Sequence, residues 1–188
     1  MTSVPSLLKD VIHNRFVVPS SNNKFKLEEI KASDDCAELK FSEDTDIVCL
    51  QFDVSDEVLK DKKNTSFDFI FPYFKTGKEE GYAGLLTKND YIIVYQNEDA
   101  VYVLLIELKT KTDDKSKHQL DSGKLFFDFI INRINLANNA KNKKEIKVNA
   151  YKRVLFKKNS DTQKGKLTPK EGNCYRLPYQ TYHLNQFF

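Results

Sequence analysis

The chain has 188 residues with 30 Lys+Arg against 27 Asp+Glu, a formal net charge of +3, and 14 Phe and 9 Tyr beside 6 Gly and 5 Pro. That aromatic content excludes a disordered chain, and no run nears the roughly 18 apolar residues of a membrane span. Cys36, Cys49 and Cys174 are odd in number and lack zinc-ligand spacing, which excludes a disulfide framework and a zinc module; they are expected as reduced, mostly buried thiols. The start Met1-Thr-Ser-Val-Pro5 has no basic segment followed by an apolar one. A single domain over 1–188, soluble and cytoplasmic, with no membrane contact, is the expectation.

The first predicted element is a helix over 5–16. Pro5 stands in its first turn, Ser3 is a candidate cap, and Leu7, Leu8, Val11, Ile12 and Phe16 fall at near-helical spacing. Short strands follow at Lys24–Ile30, Cys36–Phe41 and Ile47–Val54, then one at Ser66–Phe74 ended near Pro72. Residues 75–84 read as a polar loop.

Asn89–Tyr95, a turn at Gln96-Asn97-Glu98-Asp99, and Val101–Lys109 then predict a β-hairpin. Asp90 opens its first strand, and Glu107-Leu108-Lys109 ends its second. Antiparallel pairing brings those two ends side by side, and residues two apart point to one face. The outcome is a carboxylate pair able to hold a hard divalent cation, with an ammonium group beside it. The tripeptide alone is weak, since Glu29-Ile-Lys31, Glu38-Leu-Lys40 and Glu145-Ile-Lys147 match it too. Only Glu107 follows a long β-branched and aromatic run, has a partner strand opening with Asp, and precedes a helix.

That helix is predicted from about Asp113 to Asn135. Leu120, Lys124, Phe127, Ile131 and Ile134 form its stripe, widened by Phe126, Phe129 and Ile130. Gly123 costs about 1 kcal/mol relative to Ala and marks close packing against the sheet. The Asn138–Asn142 run breaks the helix. Lys147–Phe156 is a strand returning beside Val101–Leu108 through a right-handed crossover, 159–173 is a lysine-rich loop, and Cys174–Phe188 a last strand or hairpin.

From Asp90 to about Phe156 the chain resembles the PD-(D/E)xK nuclease superfamily, with Asn89 where the family name has proline. The resemblance implies an α/β fold: a mixed central sheet flanked by helices, with a restriction-endonuclease-like αβββαβ core over about 66–156 and a strand-rich N-terminal extension. It implies Asp90 and Glu107 as metal ligands, Lys109 as the residue that orients or activates the attacking water, and Gln119 as a further catalytic side chain. The Leu108 carbonyl would help hold Mg²⁺, for which Mn²⁺ could substitute. Asp68 is the second choice for the first ligand, and Glu28, Glu29 or Glu38 could add a carboxylate. His13, His118 and His183 form no metal or triad pattern, and Tyr91, Tyr95 and Tyr102 are expected to pack on the sheet.

Charge is unevenly distributed: residues 1–60 carry net −5, 61–108 net −3, and 109–188 net +11. A positive field beginning at Lys109 attracts a polyanion. Nucleic acid, DNA first, is the expected partner, with Lys111, Lys115, Lys117 and Lys124 on its backbone. The expected activity is Mg²⁺-dependent phosphodiester hydrolysis in a defence or repair setting. Small size points to a homodimer or a partner subunit. The alternatives are a catalytically inactive nuclease-like module that binds nucleic acid or a protein partner, and a toxin or effector using the same chemistry.

Overall fold

The computed structural model describes residues 2–28, 36–51, 89–109, 116–141, 143–157, 167–169 and 174–188. Helix α1 is Val4–Val11, and strands β1, β2 and β3 are Lys24–Glu28, Cys36–Lys40 and Asp46–Leu50. Strands β4 and β5 are Tyr91–Asn97 and Ala100–Lys109, helix α2 is Ser116–Asn139, and β6, β7 and β8 are Val148–Lys157, Cys174–Leu177 and Thr181–His183. The expected strand at Ser66–Phe74, the loop at 75–84 and the turn at 110–114 lie outside the described residues.

Local chemistry sets the boundaries. The Ser3 hydroxyl accepts from the Ser6 N–H at 3.2 Å and caps α1, Pro5 sits in its first turn, and Ile12 turns extended and ends it. Asn22 and Asn23 both take positive φ, 50° and 54°, in the tight turn closed by the Ser21–Lys24 bridge. In the β4–β5 hairpin the turn narrows to Glu98-Asp99, with Glu98 at φ 53° and Asn97 paired to Ala100. The Gln96 amide donates to the Glu98 carbonyl at 2.7 Å and holds that shape.

Two mixed sheets result. The larger has the order β3-β4-β5-β6-β7, antiparallel from β3 to β5 and parallel from β5 to β7. The smaller has the order β1-β2-β8, with β8 parallel to β2. Strands β3, β4 and β5 of the large sheet are apolar on both faces along most of their length. Val48, Leu50, Ile92, Val94, Val103 and Leu105 point to one side and pack with Val4 and Leu8 of α1 and Leu120, Phe127 and Ile131 of α2. Ile47, Cys49, Ile93, Leu104, Ile106, Val154 and Phe156 point to the other and pack with Phe25, Leu27, Ala37, Leu39 and Tyr182 of the small sheet. Burying each such side chain contributes about 1.5–3 kcal/mol. The layers are therefore helices, large sheet, small sheet.

Several expectations change. Among the described residues helices cover one face of the large sheet only, and the N-terminal strands form the opposite layer instead of an appendage. The large sheet runs beyond 66–156, since β3 and β7 belong to it. Cys174–Phe188 is no hairpin: β7 joins β6 and β8 joins β2. Only Cys49 is buried, and Cys36 and Cys174 are half-buried. Helix α2 continues past Asn135 to Asn139 and ends inside the Asn138–Asn142 run, while the Asn135 side chain bonds the Ile146 backbone of the segment that follows. Phe129 is 48% exposed, since two residues past buried Phe127 is more than half a turn around the helix. Among the described residues no helix is long and apolar enough to cross a membrane.

Candidate functional site

Tyr91 pairs with Ile106, so one further step of the antiparallel register sets Asp90 opposite Glu107. Residues so placed share a face, with Cβ atoms about 4.5–5.5 Å apart. Alternation along β5 puts Glu107 and Lys109 on the helix side with Val103 and Leu105, and Asp90 there with Ile92 and Val94. Asp90 Oδ2 accepts the Leu108 N–H at 2.6 Å. The N–H and C=O of one strand residue leave on the same side, so the Leu108 carbonyl also lies toward Asp90.

Glu107 is fully buried. Lys109 Nζ lies 2.5 Å from its Oε1 as an ion pair, with 23% of the lysine side chain exposed. Burial pushes the Glu107 carboxyl up to about 8, and the Asp90 charge adds to the shift while Lys109 opposes it. A buried carboxylate beside a second acid calls for positive charge in excess of one lysine. Two hard oxygen acids with a backbone carbonyl fit a small divalent cation. Among the described residues no three His, Cys, Asp or Glu side chains converge, so the remaining ligands would be solvent and substrate oxygens.

Asn89 fixes the start of β4. It is 2% exposed, and its amide Nδ2 donates to the Tyr91 carbonyl at 2.5 Å and toward the Ile106 carbonyl at 3.5 Å. Its Oδ1 presses on α2 at Gly123, where a Cβ would stand 2.1 Å away. The glycine expected to allow close packing does so, and the atom it admits belongs to the residue next to Asp90.

The other expected residues are placed as follows. Gln119 is half-buried on α2 beside the buried Leu120. Lys117 and His118 are exposed there, while Lys111, Lys115, Asp68 and Glu29 lie outside the described residues. Lys124 is committed elsewhere: its Nζ pairs with Asp128 at 2.6 Å and sits 4.6 Å over the Tyr151 ring. Glu28 and Glu38 cannot join the site. Their neighbours Leu27, Ala37 and Leu39 point into the core, so both acids face outward from the small sheet, and Glu38 pairs with Lys24 at 2.7 Å. Tyr91, Tyr95 and Tyr102 pack on the face away from Glu107: the Tyr91 hydroxyl donates to the Glu28 carbonyl at 2.9 Å, and Tyr95 and Tyr102 stack at 5.0 Å.

Sequence reading missed Asn89, and it missed two cations carried beside the carboxylates by β6 and β7. Lys157 pairs in register with Lys109, and Arg176 pairs with Leu155, itself paired with Glu107. Only the strand register could reveal them. No family model, no curated protein and no solved structure matches the chain.

Proposed function

We propose that the chain is a metal-dependent nuclease that hydrolyses phosphodiester bonds of nucleic acid, as the resemblance to the PD-(D/E)xK superfamily implies. The observation that carries this reading is the fully buried Glu107 carboxylate, set opposite Asp90 and held by Lys109 at 2.5 Å. With β1 and β2 of the small sheet set aside, α1, β3, β4, β5, α2 and β6 follow one another, antiparallel up to β5 and parallel to β6, which supports a restriction-endonuclease-like αβββαβ core.

Asp90, Glu107 and the Leu108 carbonyl would hold Mg²⁺, which when bound supplies a Lewis acid for the phosphate and lowers the pKa of bound water. Glu107 brings the charge that the cation requires. The Asp90 carboxylate is kept in place by the Leu108 N–H. Lys109 would position the attacking water and offset the charge that grows on the oxygens of the pentacovalent transition state as the P–O bond to the leaving group breaks. Gln119, on the adjoining helix, would orient the same water. DNA is the substrate we expect first.

Purified protein with plasmid, single-stranded DNA and RNA, in Mg²⁺, Mn²⁺ or EDTA, tests the proposal. Cleavage in Mg²⁺ or Mn²⁺ is expected, with none in EDTA and none from Lys109→Ala, while Lys147→Ala, at a chance match to the same tripeptide, cuts normally. Tight binding without cleavage under every condition would overturn the catalytic reading in favour of an inactive nucleic-acid-binding module.

A further inference from the structure

We infer that Asn89 is the positioning residue of the carboxylate site: its side chain closes the open end of the β4–β5 hairpin and ties that end to α2, so that Asp90 and Glu107 meet a cation as one preformed pair. The inference rests on the nuclease reading for the identity of the ligand, a hydrated divalent ion, and on hydrogen bonds and packing for the rest.

A hairpin is pinned at its turn and frays at its open end, where no further rungs follow. Tyr91 and Ile106 form the last rung here, and Asp90 and Glu107 stand one step beyond it. The Asn89 amide holds the carbonyls of that last rung: Nδ2 donates to the Tyr91 carbonyl at 2.5 Å and reaches the Ile106 carbonyl at 3.5 Å. One side chain thus grips both strands. Beyond the rung, Asp90 Oδ2 accepts the Leu108 N–H at 2.6 Å, and the Asp90 N–H faces the Glu107 carboxylate and favours its charged form. Each acid is therefore steadied by the backbone of the opposite strand, and both contacts depend on where the main chain of residues 89–91 lies.

The far side of Asn89 meets α2. Asn89 is 2% exposed, and its Oδ1 fills the place that a Cβ on residue 123 would need. Gln119 lies one turn earlier on the same side of the helix, so the contact that seats α2 also sets how Gln119 approaches the carboxylates. For stability alone, an apolar residue at 89 and alanine at 123 would serve better. The pair present costs both helix propensity and the desolvation of an amide. What it secures is geometry.

Mn²⁺ titration of the full-length protein, read by electron paramagnetic resonance of the free ion, and amide exchange by NMR in EDTA test the clamp. Asn89→Ala, and Asn89→Ala combined with Gly123→Ala, should each bind Mn²⁺ about 10–100-fold more weakly than wild type. In both, the Leu108 amide should exchange about tenfold faster than in wild type, relative to the amide of Val103 on an interior rung. The combined variant should regain urea resistance over Gly123→Ala alone, since its methyl group takes the space that Asn89 leaves. A residue that only filled space would return affinity and exchange along with stability. A wild-type value of either in the combined variant would therefore overturn the inference and leave the nuclease reading standing. A wild type that binds no Mn²⁺ and cuts nothing would end that reading instead. Leu108 exchange then decides alone: a faster rate in the combined variant upholds the clamp, and an unchanged rate overturns it.

Discussion

The two ends of the β4–β5 hairpin, about 20 Å apart, obey different rules. At the turn, the polar groups that the fold encloses are met by side chains. The Val4 N–H donates to Gln96 Oε1 at 2.8 Å, the Val101 N–H to Asn149 Oδ1 at 2.7 Å, and the Asn135 amide and the Ile146 backbone exchange bonds of 2.9 and 2.8 Å. The charges there, Glu98, Asp99, Lys143, Lys144 and Lys147, are exposed. At the open end a fully buried carboxylate is met by the Lys109 ammonium, and a second acid faces it. Folding alone favours the first arrangement. The second persists only where something outside the fold draws on it, which is where a ligand site is to be sought.

Removing the buried charge should break the contrast most. Glu107→Gln keeps the shape of the side chain and should reduce cleavage by more than about a hundredfold, since it removes a ligand outright. The same variant should change the pH dependence of stability in EDTA. The carboxyl ionises near 4.5 when solvated and near 8 in the fold. Between those pH values the folded chain holds a proton that the unfolded chain has released, so stability falls as pH rises through the window, by at most about 1.4 kcal/mol per unit. Glu107→Gln should abolish that slope in denaturant titrations, and Mg²⁺ should flatten it in the wild type.

Lys109→Ala sharpens the comparison by removing the internal counter-ion. At pH 9 in EDTA it should destabilise the fold by about 1–3 kcal/mol, with a smaller loss at pH 6 where Glu107 takes up a proton. An equal loss relative to wild type at the two pH values, measured by urea unfolding, would mean that the ion pair contributes nothing.

Gly123→Ala probes the same end through packing. Its Cβ must displace the Asn89 side chain, so a loss of about 1–3 kcal/mol is expected together with weaker Mn²⁺ binding, by about 10–100-fold. Asn89→Ala in the same chain opens space for the methyl group and should recover part of the stability. At the opposite end, Asn135→Ala breaks the clamp on Ile146 and should cost about 1–2 kcal/mol while leaving Mn²⁺ affinity unchanged. A change in metal affinity from Asn135→Ala would erase the distinction between the two ends.

The hairpin, its facing acids and the returning parallel strand were legible because each rests on local pattern: alternation, a polar turn within Gln96–Asp99 and a helical stripe, although the turn proved two residues long. Gly123 was legible as a close approach, though its partner Asn89 was not, since nothing local tells what a helix will meet. The outward aim of Glu28 and Glu38 was written in the alternation, since Phe25 and Leu27, like Ala37 and Leu39, form the apolar faces of their strands. What local pattern left open was the second sheet that residues 24–28, 36–40 and 181–183 build, because its pairing is long-range. Lys157 and Arg176 were hidden for the same reason, as parallel register is a long-range property.

That second sheet also sets a schedule for the chain. The side chains of Glu38 and Thr181 meet across 143 positions. At a synthesis rate of about 5–20 residues per second, strand β2 waits roughly 7–30 s for its partner β8 to be made. Throughout that interval one edge of β2 lacks its neighbour, and the apolar face that Tyr182, Leu184 and Phe187 will cover is open. The newborn chain is thus open to mispairing at β2 until β8 has been made.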